Sequence, residues 1–235
     1  GARSTRPTGP GRISTTDRRM PSEPVIDVRN LTATYGRETI LQELSFSVQR
    51  GEIFAILGGS GSGKSTILKH LIGLRTPAIG EVRVLGTDIV RATEAERQAL
   101  SRQIGVLFQG GALFGAMTVG ENIALLLSES RQLPEAAIAE IVRLKLQMVG
   151  LGGCENLFPS ELSGGMRKRA ALARALALDP ELLFFDEPSS GLDPVLAAGL
   201  DQLIIRLRDS LGASMVLVTH DLDSTLAVAD RAILL

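Results

Sequence analysis

From Val25 onward the apolar residues of this chain follow two kinds of spacing. VIDVRNL at 25–31 and the alternating Leu44, Phe46 and Val48 predict strands with one buried face. IFAIL at 53–57, IGVLF at 104–108, LLFF at 182–185 and MVLV at 215–218 are continuous runs, too short for helices, and predict strands covered on both faces. Helical spacing intervenes after the first of these, in TILKHLIGL, and dominates between Gln109 and Asp179. There it runs through VGENIALLLSES, then PEAAIAEIVRLKLQMVG with its proline at a helix start, then GMRKRAALARALAL. Buried strands alternating with helices predict an α/β fold around a mainly parallel sheet, with a helical subdomain of about 110–179 inserted between two core strands.

Length and composition fit that picture. The 235 residues, 44% of them apolar, suffice for one substantial core, so 23–235 reads as a single unit carrying an insertion. Residues 1–22 stand apart: five arginines, several Pro, Gly, Ser and Thr, and almost nothing to bury predict a disordered basic leader or an expression remnant, with Met20 as a candidate native start. That stretch has no apolar run of the kind a secretory signal needs. At the other end ADRAILL enters a strand-like run and stops, from which further chain is expected. A net charge of −1 speaks against a protein that works by wrapping nucleic acid. The single cysteine, Cys154, suits a reducing compartment and reads as structural. The longest apolar runs, such as IALLL at 123–127, are far shorter than the roughly 18 residues of a membrane span.

Candidate chemistry begins directly after IFAIL. Gly58, Gly59, Ser60, Gly61, Ser62, Gly63, Lys64, Ser65 and Thr66 form a GxxxxGKS stretch between a buried strand and a helix. Glycines let the backbone curl so that its N–H groups face phosphate, and the helix adds its positive end. Lys64 would reach the β- and γ-phosphates and Ser65 would offer a hydroxyl to magnesium. The strand LLFF delivers Asp186 and Glu187 at its carboxyl end, the edge where ligands sit in an open α/β sheet. Asp186 suits a magnesium shell and Glu187 suits polarising an attacking water. His220 ends the run MVLVT on the same edge, within reach of a γ-phosphate or its water, whereas His70, on the helix after the glycine loop, reads as structural. A second glycine stretch, LSGGM at 162–166, opens a helix and so offers a second phosphate cradle. Arg167, Lys168 and Arg169 behind it read as a solvated helix face.

Taken in order, the glycine loop, Gln109, LSGGM, LLFFDEP, SSGLD and His220 resemble the nucleotide-binding subunits of ATP-binding cassette (ABC) transporters over essentially all of 25–235. The resemblance implies a P-loop NTPase ABC nucleotide-binding domain with an N-terminal antiparallel β-subdomain, and ATP and Mg2+ as its ligands. It further implies a head-to-tail homodimer in which Ser163, Gly164 and Gly165 of one subunit meet the γ-phosphate on the P-loop of the other. Met166 stands where glutamine is commoner, which leaves the backbone donors unaffected. By the same resemblance Tyr35, the only tyrosine, stacks on adenine, and Gln109 senses magnesium and water while linking to the membrane partner. Asp193 communicates across the dimer, with a helix N-cap before Pro194 as the alternative.

The stretch FQGGALFGAMTVGENIALLL at 108–127 lies where that family docks its membrane subunit. Leu113, Phe114 and Met117 there either line a groove for a partner helix or pack within the helical block. With LSGGM, it is similar to the Mla-type, or toluene-tolerance, ATPases that serve MCE-protein phospholipid transporters in the bacterial envelope. That narrower resemblance implies an MlaE-like permease, a periplasmic MlaD-like MCE protein, a small STAS-type accessory subunit, and a place on the cytoplasmic side of the inner membrane. An ATPase for an importer of amino acids or another small solute is the alternative. A soluble cassette acting on DNA or ribosomes would carry a long coiled-coil insertion or a second cassette, and a scaffold that does not hydrolyse would not keep Glu187 and His220.

Overall fold

The computed structural model describes residues 23–36, 38–130 and 133–235, together with the backbone but not the side chains of Tyr35 and Glu38; the basic leader lies outside these residues. Two sheets form. Strands β1 (Ile26–Tyr35), β2 (Glu38–Val48), β4 (Ile79–Val84) and β5 (Thr87–Asp88) make an antiparallel sheet in the order β2-β1-β4-β5. Strands β3 (Ile53–Leu57), β6 (Ile104–Leu107), β7 (Leu182–Asp186), β8 (Ser214–Thr219) and β9 (Arg231–Leu234) make a parallel sheet in the order β6-β7-β8-β3-β9.

The continuous apolar runs became the inner strands because both faces of the parallel sheet are covered. One face packs on the antiparallel sheet and on α1 (Lys64–Leu71), burying Phe54, Ile56, Phe184, Val216 and Val218 against Ile26, Val28 and Phe46. Phe46 and Phe54 stack across that layer with ring centroids 5.4 Å apart. The other face buries Ile53, Leu183, Phe185, Met215 and Leu217 against the helices that follow. IGVLF departs from expectation. As β6 it is an outermost strand of its sheet, so Ile104 and Val106 are only partly buried.

Helices α3 (Val119–Ser130), α4 (Glu135–Met148) and α5 (Gly164–Ala175) fill the stretch between β6 and β7 and join the second core through Ile123, Leu127, Leu146 and Leu172. Buried Lys145 of α4 pairs with Asp179 just before β7, which ties the block to the sheet. Among the described residues three more α-helices complete the order: α2 (Glu94–Ser101), α6 (Pro194–Leu211) and α7 (Leu222–Val228).

Register decides what happens at the carboxyl edge. Leu57 of β3 pairs with Thr219 of β8, and Val218 of β8 pairs with Asp186 of β7. The segments that leave β3, β7 and β8 therefore emerge side by side, although they are far apart in sequence.

Candidate functional site

The glycine loop leaves β3 and closes on α1. Gly61 and Gly63 both take positive φ, 81° and 98°, and a Cβ on Gly63 would stand 2.7 Å from Leu41 Cδ2 of the antiparallel sheet. Only glycine fits there without displacing that contact. Buried Lys64 turns back over the loop, its Nζ donating to the carbonyls of Gly58 at 2.8 Å and Gly59 at 2.7 Å. The hydroxyl of Ser62 is buried without a partner, and Ser65 is exposed at the mouth.

Asp186 and Glu187 face this loop from β7. Glu187 is held at φ 48°, an unusual conformation for a residue with a side chain, by its N–H donating to Val218 at 2.8 Å. Its carboxylate accepts from His220 Nδ1 at 2.8 Å and from the Thr219 hydroxyl at 3.4 Å, and lies 3.9 Å from Lys64 Nζ. With Glu187 ionised, a carboxylate that only accepts, the contact requires the His220 proton on Nδ1; the His220 side chain is 64% exposed. Burial, and secondarily the neighbouring Glu187, push the Asp186 carboxyl above its ordinary value; Lys69, Lys64 and Lys168 oppose the shift. Ser60, Gly61, Lys64, Ser65, Gln109, Glu187 and His220 line one cleft of about 320 Å³. A roomier cleft of about 640 Å³ between α3 and α4 contains none of these residues, so size does not mark the chemistry.

Gln109 extends just past β6, its amide donating to the Ser190 hydroxyl at 3.2 Å. Behind it the solvated face expected of α5 holds for exposed Arg167 but not for Lys168. Lys168 is only 8% exposed and donates to the backbone carbonyls of Gln109, at 2.5 Å, and of Glu187, at 3.3 Å. Burial lowers its pKa. Arg167 donates to the carbonyl of Leu162 at 2.9 Å. Helical periodicity could not reveal this, because the acceptors are main-chain atoms on two distant loops.

Ser163 caps α5, its hydroxyl accepting from the N–H of Met166 at 3.3 Å, and with Gly164 it is exposed. None of residues 163–165 lines the P-loop cleft. Asp193 adopts the alternative expected of it: it caps α6, accepting from Val195 at 3.0 Å and Leu196 at 3.1 Å. Buried His70 contacts the carbonyl of Arg75 through Nδ1 at 3.0 Å, as a structural histidine would. Tyr35 closes β1; its side chain, and hence the stacking expected of it, lies outside the described residues.

Against known protein families, residues 41–190 match the model described as ABC transporter. The chain belongs to the ABC transporter family. Among curated relatives, the probable ribonucleotide transport ATP-binding protein mkl of Mycobacterium leprae is 46% identical over 215 residues, 92% of this chain and 62% of that protein. The intermembrane phospholipid transport system ATP-binding protein MlaF of Haemophilus influenzae is 45% identical over 208 residues, 88% of this chain and 79% of that one. This chain thus spans about three fifths of the mkl protein. Among solved structures, a dimeric ATP-binding cassette in a post-hydrolysis state bound to ADP and phosphate superposes with a TM-score of 0.81 at 32% identity, covering 89% of this chain and 94% of that one.

In this ABC chain the segment after Gln109 is shaped by one residue. Asn122, fully buried on α3, accepts from the N–H of Phe114 at 2.8 Å and donates to the carbonyls of Phe114, Met117 and Thr118. Leu113 packs on the core beneath, and Met117 is half-buried. Phe114 remains 49% exposed beneath the Arg174 guanidinium, 5.1 Å from its ring centroid. The two readings of this stretch are therefore divided among its residues: Leu113 packs inward and Phe114 faces out. Among the described residues no helix is long and apolar enough to cross a membrane.

Proposed function

We propose that this chain is the ATP-hydrolysing subunit of an ABC transporter that powers phospholipid trafficking in the bacterial envelope. The hydrolytic half rests on one observation: Glu187, held by His220 at 2.8 Å, shares a cleft with Lys64 and the P-loop. The residues fit a magnesium–nucleotide pair. The loop from Gly58 to Gly63 offers backbone donors, and Ser65, Asp186 and Gln109 supply hard oxygen donors. Among the described residues no cluster of three or more His, Cys, Asp or Glu could hold a metal alone, which suits an ion shared with substrate phosphates. Magnesium there neutralises charge that develops on the phosphates.

The chain's own groups do the rest. Lys64 and the N–H groups from Ser60 to Thr66 bind the phosphates, and Glu187 accepts the proton of the attacking water. His220 and Thr219 orient that carboxylate, while His220 Nε2 is free to contact the γ-phosphate. Ser163, Gly164 and Gly165 face the nucleotide of a second copy in a head-to-tail homodimer. The resemblance to ABC subunits assigns the stacking on adenine to Tyr35.

The phospholipid cargo is supported by the MlaF relative, of which this chain covers 79%, against 62% for mkl. It brings with it an MlaE-like permease, an MlaD-like MCE protein, a STAS-type subunit, and a place on the cytoplasmic side of the inner membrane. The mkl relative, a probable ribonucleotide transport ATP-binding protein, favours a second reading, ribonucleotide cargo. Gentle extraction of the complex from native membranes followed by mass spectrometry separates the two. A permease, an MCE protein and bound phospholipid are expected; a solute permease without phospholipid would discard the lipid cargo and keep the ATPase.

A further inference from the structure

Lys168 is an odd residue for its place. It lies on the second turn of α5, where periodicity calls for a solvated charge, yet its ammonium is drawn inward to two backbone carbonyls 78 positions apart, those of Gln109 and Glu187. Each acceptor belongs to a working segment. Gln109 supplies a side chain to the cleft and anchors to Ser190 at 3.2 Å; Glu187 supplies the carboxylate. Glu187 also sits at φ 48°, a conformation that its surroundings must impose. Its N–H is held by Val218, and its carbonyl is held by Lys168. The same helix begins with Gly164, capped by Ser163.

We propose that Lys168 is a positioning residue that locks the Glu187 backbone to the helix bearing the second phosphate cradle, so that α5 cannot shift without moving Glu187 and Gln109 together. The ammonium matters here because one group, itself only 8% exposed, donates to two carbonyls; an apolar side chain of similar length such as methionine would leave both without that donor. Without it the Glu187 peptide relaxes and the carboxylate drifts from His220, while the P-loop, which Lys168 does not touch, keeps its geometry. This inference rests on the ATPase reading for its kinetic consequence but not for its structural one.

The test compares Lys168→Met, Lys168→Gln and Lys168→Arg in the full chain, reading MgATP affinity, steady-state turnover, and hydrogen exchange of peptides spanning 107–111 and 185–190. The Met variant should keep ATP affinity within about twofold, lose turnover by at least about tenfold, and show faster exchange confined to those two peptides; Arg should restore both. Wild-type turnover and unchanged exchange in the Met variant would overturn the proposal. So would loss of ATP affinity in parallel with turnover, or failure of Arg to restore either signal. If both Met and Gln variants lost cooperative unfolding, Lys168 would be a folding residue and the proposal would fall. If the wild-type chain proved not to hydrolyse ATP, the ATPase reading would fail, and the exchange data would still decide whether Lys168 holds the two segments.

Discussion

Asp186 shows how a working carboxylate can weaken the fold that carries it. Burial and Glu187 raise its pKa, so above that raised value the folded chain holds a charge that the unfolded chain solvates better. The cost is therefore present at neutral pH and disappears as pH falls through the raised value and then the ordinary one. Asp186→Asn is expected to stabilise the protein without magnesium or nucleotide by on the order of 1 kcal/mol, a rise of roughly 2–4 °C in Tm at pH 7.5. That gain should shrink towards pH 4, and turnover should be lost throughout; thermal unfolding at both pH values checks it. Lys64→Ala removes charge-assisted donors aimed at phosphate and should weaken MgATP binding by roughly ten- to a hundredfold, measured by titration calorimetry. An unchanged affinity would remove Lys64 from the site. Both residues were legible in sequence because each follows an apolar strand inside a recognisable spacing. Lys168 was not, because a charged residue after a glycine turn looks the same whether its ammonium meets water or two carbonyls.

At the scale of elements, the strands were legible wherever an apolar run was framed by glycine or charge: IFAIL and LLFF became β3 and β7 almost to the residue. The expected burial failed only for β6, since no local pattern reveals which strand ends a sheet. Loops carried less signal. Nothing in TVGEN distinguishes a solvated asparagine from Asn122, which is fully buried and satisfies four main-chain groups between Phe114 and Thr118. Asn122→Ala takes the side-chain partner from the Phe114 N–H and the Met117 carbonyl, while the Phe114 and Thr118 carbonyls still accept from the N–H groups of Met117 and residue 122, and should cost about 1–3 kcal/mol. The effect belongs to that loop and not to the P-loop. MgATP affinity should stay near wild type while amides 113–118 exchange faster. Uniform acceleration of exchange over the whole chain would show instead that Asn122 holds the global fold.

At the scale of the molecule, the chain carries two glycine-rich helix starts, and only the first lines the cleft with Glu187. Residues 163–165 are absent from the lining of the P-loop cleft, and Ser163 and Gly164 are open to solvent. A two-fold pairing gives each exposed cradle the nucleotide of the other copy, so dimerisation should depend on bound ATP and on the surface around Ser163. Glu187→Gln removes the carboxylate proposed to accept water's proton but leaves the P-loop intact, so with MgATP it should accumulate as a dimer with turnover reduced by at least about a hundredfold. Adding Ser163→Arg places a bulky side chain at the mouth of the second cradle and removes a helix cap worth about 1 kcal/mol, a loss the fold can absorb. The double variant should bind MgATP as a monomer at nearly unchanged affinity. Sedimentation velocity with and without MgATP reads both states. If the double variant lost nucleotide affinity as a monomer, the cradle at 163–165 would be acting on its own chain's ATP, and the C2 arrangement would have to be abandoned. If the single variant stayed monomeric at saturating MgATP, the energy for closing the pair would have to come from the membrane subunit, and the same experiment repeated on the extracted complex would show closure there.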